Sequence, residues 1–456
     1  MNFVGIVPSK CSSYKKKGRL LRPSCPGKIG RYKQLLSLAE NIQVESMFYA
    51  YRFPPSRSLS TKSIRTSRSN AKQAGEKDFL FSHFSVNIMT MIRYTLKFSL
   101  CLFALAVVSS AQDQTIPWRR CLNQQQEFYA TEQAIRIADN LLLYQRDSGG
   151  WQKNTEMASV LSEQDKAGLR KAKSRNDSTL DNSATRTQIR YLATVYQATK
   201  IERFKDASLK GLDYILEARY DNGGWPQRFP NPTGYSKHIT FNDGAMIGVL
   251  NLLCDIAEKK QPYTFVDEGR RRRAETAVQK GIECILKCQI VVNGKKTAWC
   301  AQHDEKSFVP RKARSYELPS ISGAESVGIV RFLMSIEKPG PEIIEAVQAA
   351  VAWFDEARLE GIRQVRKQDK SKPGSFDKVI VEDASAPPIW ARFYDIETNK
   401  PIFCSRDGIP KSTLAEISYE RRNGYSWLGY YATDLLAKDY PAWQKKWTPA
   451  KNVLDR

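Results

Sequence analysis

The densest group of chemically capable side chains lies between Thr297 and Gly328, in TAWCAQHDEKSFVPRKARSYELPSISGAESVG. It sets a tryptophan, a histidine, two arginines and two lysines in a turn-rich segment. The segment ends on Ser322 with Glu325 three residues on, the pairing that starts a helix. Long loops inside compact domains tend to carry function, although composition alone equally fits a basic surface loop. Further on, Arg392 in IWARFYD and Arg406 in FCSRDG stand fourteen apart and flank a strand-like stretch. Guanidinium groups at such places either grip carboxylates bidentately or remain ordinary surface charges. Two aspartates complete the set: Asp181 in TLDNSATRTQIRYL and Asp243 in FNDGAMIGVLNLL, each at the mouth of an apolar helix. An isolated aspartate there is by default an N-cap, but Thr179 and Asn242 compete for that place.

Charge sharpens the picture. The 456 residues carry a formal net charge of +23. Residues 1–111 hold 18 Lys and Arg against 4 Asp and Glu, and residues 112–456 hold 53 against 44. Such an excess favours an acidic partner: nucleic acid, anionic lipid or acidic polysaccharide. No helix-turn-helix, zinc-finger or RNP pattern is present, so nucleic acid is not expected. Histidine occurs only at 83, 238 and 303, which argues against a histidine-rich metal site or a histidine relay. Cys284 and Cys288 lie four apart in GIECILKCQI, on one helix face. With few other ligands nearby they read as buried thiols rather than zinc ligands. A disulfide remains open, with no pairing legible.

The elements that position these residues are helical. Ala130–Arg146 shows helical spacing and ends in DSGGW, where Gly149 suits a left-handed C-terminal cap. Ala207–Tyr220 and Ala277–Gln289 repeat that design, leading to Trp151, Trp225 and Trp299 at even intervals of 74 residues. A second helix follows each tryptophan, over Asn182–Ala198, Asp243–Ile256 and Ala324–Ile336. Each repeat therefore reads as a helix hairpin, able to bury its apolar face on the next and close into a toroid. The tryptophans read as core wedges, with sugar platforms as the alternative. Beyond 370 the texture changes, with β-like runs at 378–381, 389–394 and 400–404 and a last helix within Gly424–Ala437.

Taken together, GGWxxN, TLDNSAT, FND and WCAQHD…RKARSYE…SGAES resemble the pectate lyases of polysaccharide lyase family 10, over roughly residues 120–440. The resemblance implies a mainly α fold, a partly closed (α/α)3 toroid of helix hairpins with short β-strand elements near the C-terminal part. It also implies cleavage of de-esterified homogalacturonan (polygalacturonate) by β-elimination, with Ca2+ held by Asp181 and Asp243. In that scheme Arg314 is the base that takes the C5 proton, while Arg392 and Arg406 bind uronate carboxylates. An arginine base is physically awkward, since free guanidinium titrates above about 12. Calcium, Lys312 and Arg311 nearby would disfavour its charge and lower that value; a carboxylate clamp is the alternative role. Arg421 and Arg422 extend the groove or else pair with Glu420. One departure stands out: the family pattern reads FNDDA, and Gly244 here replaces the second aspartate. Two other classes stay open, a glycoside hydrolase on an (α/α) toroid, which would need a working carboxylate pair, and a non-catalytic acidic-polysaccharide binder.

The remaining expectation concerns the first residues. Residues 1–75 are basic, Ser-rich and poor in acid, and MIRYTLKFSLCLFALAVVSSAQDQ from Met91 has the order of a signal peptide cut near Ala111. Its apolar run, Phe98 to Val108, is shorter than the ~20 residues of a membrane span. The reading is thus a disordered or mis-annotated extension over 1–88, a signal peptide over 89–111, and a catalytic domain over 112–456. That domain is expected to be exported, monomeric and without stable membrane insertion.

Overall fold

The computed structural model describes residues 116–455. The expected extension over 1–88 and signal peptide over 89–111 lie outside the described residues. Within them the chain is a toroid built on a repeated device. Helix α1 (Glu132–Tyr144), α3 (Glu202–Glu217) and α5 (Glu268–Cys288) each run into a turn and then a wholly buried tryptophan. The last four carbonyls of a helix have no partner inside it. Each indole binds one of these end carbonyls: Trp151 Nε1 donates to Leu141 O (2.8 Å), which also accepts the Gln145 amide, Trp225 to Ile215 O (2.9 Å) and Trp299 to Ile285 O (2.8 Å). These rings are 0% exposed, so they are wedges, and the platform alternative falls away.

A fourth copy follows. Helix α7 (Pro341–Glu356) receives the indole of Trp390 on Phe354 O at 2.8 Å. Its interval is stretched by the inserted hairpin of β1 (Ile362–Gln368) and β2 (Phe376–Glu382), paired antiparallel from Ile362–Glu382 to Gln368–Phe376. The turns before the first two wedges need glycine. Gly149 and Gly223 have φ of +96° and +92°, and a Cβ at Gly223 would sit 2.0 Å from Lys280 O.

The second helices are α2 (Arg186–Thr199), α4 (Ala245–Ala257) and α6 (Glu325–Met334). Their tightest packing is on the first helix of the following unit: α2 on α3, α4 on α5 and α6 on α7. The three hairpins of the (α/α)3 toroid are therefore these pairs, not pairs across a tryptophan turn. Connection length explains the difference, since only Lys200 and Ile201 separate α2 from α3, with Lys200 left-handed at φ +58°. Helix α4 buries nine of its thirteen residues, while α5 buries only a stripe from Ala274 to Cys288 and turns its arginines outward. Cys284 and Cys288 lie on that buried stripe, and all six described cysteines are buried thiols outside any disulfide.

The expected C-terminal strands are present as β2 and as two-residue ladders: Trp390–Ala391 on Leu428–Gly429, Phe393–Tyr394 on Ile321–Ser322, and Phe403–Cys404 on Pro410–Lys411. The last helix is displaced from Gly424–Ala437. Residues 428–429 are drawn into a strand by pairing with Trp390–Ala391. A π turn at Leu435–Asp439 then leads into α8 (Tyr440–Trp447), where Pro441 is tolerated in the first turn.

Replacing Trp225 with alanine should lower stability by about 3–5 kcal/mol, the usual cost of removing a large buried aromatic. Trp225→Phe, which keeps much of the area but strands the Ile215 carbonyl, should cost less. Denaturant midpoints measure both, and an unchanged midpoint in Trp225→Ala would remove the wedge role.

Candidate active site

The two aspartates sit in matching turns that lie side by side. Leu180 (φ −99°, ψ −5°) and Phe241 (φ −96°, ψ −15°) open them, and the following residues turn left-handed: Asn182 and Ser183 in one, Asp243 and Gly244 in the other. By this geometry Asp181 corresponds to Asn242, and Asp243 to Asn182. Neither aspartate caps its helix, and neither do Thr179 and Asn242, because α2 and α4 begin without any side-chain cap bond. Thr179 Oγ1 instead donates to Gln227 O at 2.6 Å. Gly244 has φ +65°, a conformation that glycine adopts freely and aspartate less readily.

Asp181 is buried, its Oδ1 accepting from the Asn182 amide at 3.0 Å and its Oδ2 ion-paired to Lys153. The Asp243 carboxylate is 40% exposed and lies 3.4 Å from Arg392 Nη2. The same Nη2 donates to Glu325 Oε1 at 2.5 Å. Ser322 and Glu325 bond to each other, the Glu325 amide donating to Ser322 Oγ at 3.2 Å, but they do not cap the helix as expected: Ala324 is the N-cap, without a side-chain bond, and the Ser322 amide is drawn to Trp299 O at 2.7 Å. Glu325 thus holds Ser322 and Arg392 together. Burial opposes the charge of Arg392, but Glu325, Tyr425, Tyr431 and Asp243 together outweigh it and hold the guanidinium above its ordinary value. Arg392 Nε is buried without a hydrogen-bond partner.

Arg314 is gripped by one carboxylate. Its Nε donates to Glu317 Oε2 at 2.7 Å, its amide to the same oxygen at 3.1 Å, and its Nη2 to Oε1. Tyr425 Oη donates to Glu317 Oε1 at 2.8 Å. Glu317 raises the guanidinium well above its ordinary value. The expected lowering by neighbouring cations is therefore reversed in this state. Arg311 has turned to Asp304, with Nε 3.0 Å from Oδ2, and the nearest strong charge on Arg314 is an anion.

Two tyrosines draw the arginines together. The rings of Tyr316 and Tyr425 meet edge-on with centroids 5.4 Å apart. Arg314 lies 4.9 Å from the first and 5.8 Å from the second, Arg392 4.9 Å from Tyr425, Arg421 4.5 Å and Arg406 5.7 Å from Tyr316. Arg406 is exposed and shares Glu420 with Arg421, which pulls that carboxyl down to about 2. Arg422 leaves the group and pairs with Asp377 at 2.6 Å.

All three arginines singled out in the sequence, and Asp243, thus form one continuous array. The residues not foreseen are Glu317 and Tyr425, which bind Arg314, and Lys153 on Asp181. Only Glu317 had a local signal, three residues after Arg314 in RKARSYE. The donors around the two turns are oxygens (the Asp181 and Asp243 carboxylates, Glu325, the Asn182 and Asn242 amides), a set that fits a hard cation such as calcium. His303 is excluded as a base. Burial pushes it down to about 4, and both its nitrogens are engaged by backbone, Nε2 accepting from Cys300 N at 3.0 Å. His238, Asp304 and Glu305 also cluster, but Lys237 and Arg311 already neutralise those carboxylates.

The pectic acid lyase family model matches residues 145–436. Two solved structures are similar. One is an aspartate-to-alanine mutant of a family 10 polysaccharide lyase from Cellvibrio cellulosa in complex with trigalacturonic acid, at 37% identity and TM-score 0.60, covering 70% of this chain and 95% of that one. The other is the family 10 polysaccharide lyase from Cellvibrio cellulosa, at 35% identity and TM-score 0.59, covering 72% and 94%. No curated protein matches the chain.

Proposed function

Because this chain belongs to the pectic acid lyases of polysaccharide lyase family 10, we propose that it cleaves de-esterified homogalacturonan by calcium-dependent β-elimination, with Arg314 as the base. The observation that carries this is the convergence of Arg314, Arg392 and Arg406 on the Tyr316–Tyr425 pair beside Asp243. The trigalacturonic acid held by the similar Cellvibrio protein supports an oligogalacturonate ligand.

In the reaction the C5–H bond breaks, its electron pair forms the C4=C5 double bond, and the C4–O bond opens. The leaving oxygen then gains a proton. The C5 proton lies α to a carboxylate, whose negative charge opposes the developing carbanion. Asp181 and Asp243 would hold calcium, which supplies positive charge to offset that carboxylate. Arg392, held by Glu325 through Nη2 and with Nε unpaired, and Arg406, exposed at the rim, bind uronate carboxylates in the planar two-point manner of guanidinium. Arg314 acts in its neutral form, having lost one guanidinium proton to solvent, and takes the C5 proton on Nη or Nε, while water protonates the leaving oxygen. The mature protein acts after export, consistent with the signal-like residues 91–111; no described helix is long and apolar enough to cross a membrane.

Purified protein mixed with polygalacturonate and calcium should generate ultraviolet absorbance, because the new double bond is conjugated to the carboxylate. New reducing ends without that absorbance would indicate a hydrolase. Binding with neither signal would indicate a polysaccharide-binding protein.

A further inference from the structure

Asp181 is the buried member of the proposed calcium pair, and it already has a counter-ion. Lys153 Nζ ion-pairs with its Oδ2, reaching it from the tryptophan turn 28 residues upstream. A buried carboxylate left unpaired is strongly destabilising, so a charge at this place has a structural reason. The lysine is not locked in, however. Its side chain is 35% exposed, and it lines a cavity of about 460 Å³ together with Trp118, Arg119, Gln152, Asn154 and Asn182. The ammonium is a compact point charge on a flexible four-carbon stem, suited to moving between partners. A divalent cation on the same carboxylate would stand within a few ångströms of that ammonium, and the two would repel.

We propose that Lys153 is an exchangeable counter-ion: it neutralises Asp181 in the metal-free protein, calcium displaces it, and the released ammonium turns into the adjoining cavity to bind a uronate carboxylate. This rests on the calcium reading above and adds a linkage to it. Lys153 lowers calcium affinity while the site is free of sugar and raises sugar affinity once the metal is in. Each ligand then strengthens the other by the same factor, as binding linkage requires.

The test is calorimetric and needs no turnover. Calcium is titrated into metal-free wild type and Lys153→Met without sugar, and trigalacturonate is then titrated into the calcium-saturated proteins. Lys153→Met should bind calcium about tenfold more tightly, the scale of one partly exposed ion pair. It should bind trigalacturonate about tenfold more weakly. Metal-free Lys153→Met should melt below wild type and gain more in Tm from calcium, because the metal then supplies the missing charge. Lys153→Arg, which keeps the charge, should stay within a few-fold of wild type in calcium affinity. Calcium binding by Lys153→Met that is no tighter than wild type overturns the exchange, and unchanged trigalacturonate affinity overturns the docking in the cavity. If wild type itself takes up no calcium, with or without trigalacturonate, the calcium reading falls and the exchange falls with it. Normal uptake by wild type with no tightening in Lys153→Met sinks only the role of Lys153.

Discussion

Arg314→Lys should lower kcat by about 100-fold or more and leave KM within a few-fold, the pattern expected when a base acting only in the transition state is lost. Lysine keeps a cation near the substrate, but it moves the nitrogen and loses the planar fork. Arg392→Ala and Arg406→Ala should differ, raising KM at least as clearly as they lower kcat. The structure sharpens the pH side of this expectation. Glu317 favours the charged guanidinium, so only a small fraction is neutral, and activity should climb from neutral into alkaline conditions. Glu317→Gln removes that anion and should move the rising limb of the pH profile toward lower pH. Steady-state kinetics across pH checks each point. If Arg314→Lys raises only KM, and the wild-type profile is flat, then Arg314 is a clamp and another group takes the proton.

Chelation of divalent cations should abolish turnover, and calcium should restore it. Among the described residues, the cationic side chains paired with acids on the Asp181–Asp243 side are Lys153 on Asp181 and Arg392 on Glu325 and Asp243, so neither brings unneutralised positive charge to the substrate. Losing a preorganised positive charge from such a site costs on the order of 100- to 1000-fold in rate. Asp181→Asn and Asp243→Asn should both raise the calcium concentration needed for half-maximal rate. Asp181→Asn should have the larger effect, because its carboxylate is buried and therefore interacts more strongly with charge than the exposed Asp243. Full activity in chelator, with no metal found bound, would refute the role given to both aspartates.

Much of the fold was legible because it depends on short-range pattern. The 74-residue spacing of Trp151, Trp225 and Trp299 marked three units, since each indole must meet a helix end only a few turns away. The fourth unit escaped notice because the β1–β2 hairpin lengthens the interval to Trp390. The last helix was misplaced because residues 428–429 obey a partner some forty residues back rather than their own helical spacing. Hairpin pairing was likewise misassigned. Periodicity shows which residues face a core, and it does not say which helix supplies that core.

For the site, the sequence by itself determined the candidate inventory: Asp181 and Asp243 at helix mouths, Arg314 in its basic loop, Arg392 and Arg406 around a strand-like stretch. Its three histidines also argued against a histidine relay, and burial keeps His303 neutral and out of that role. Only the tertiary structure decided which charges face each other. Arg392 meets Glu325 across 67 residues, Tyr425 meets Glu317 across 108, and Lys153 meets Asp181 from a different turn. The physical reason is that Coulomb and hydrogen-bond partners are chosen by distance and burial in space, so a guanidinium expected to be surrounded by cations can be held charged by one buried glutamate.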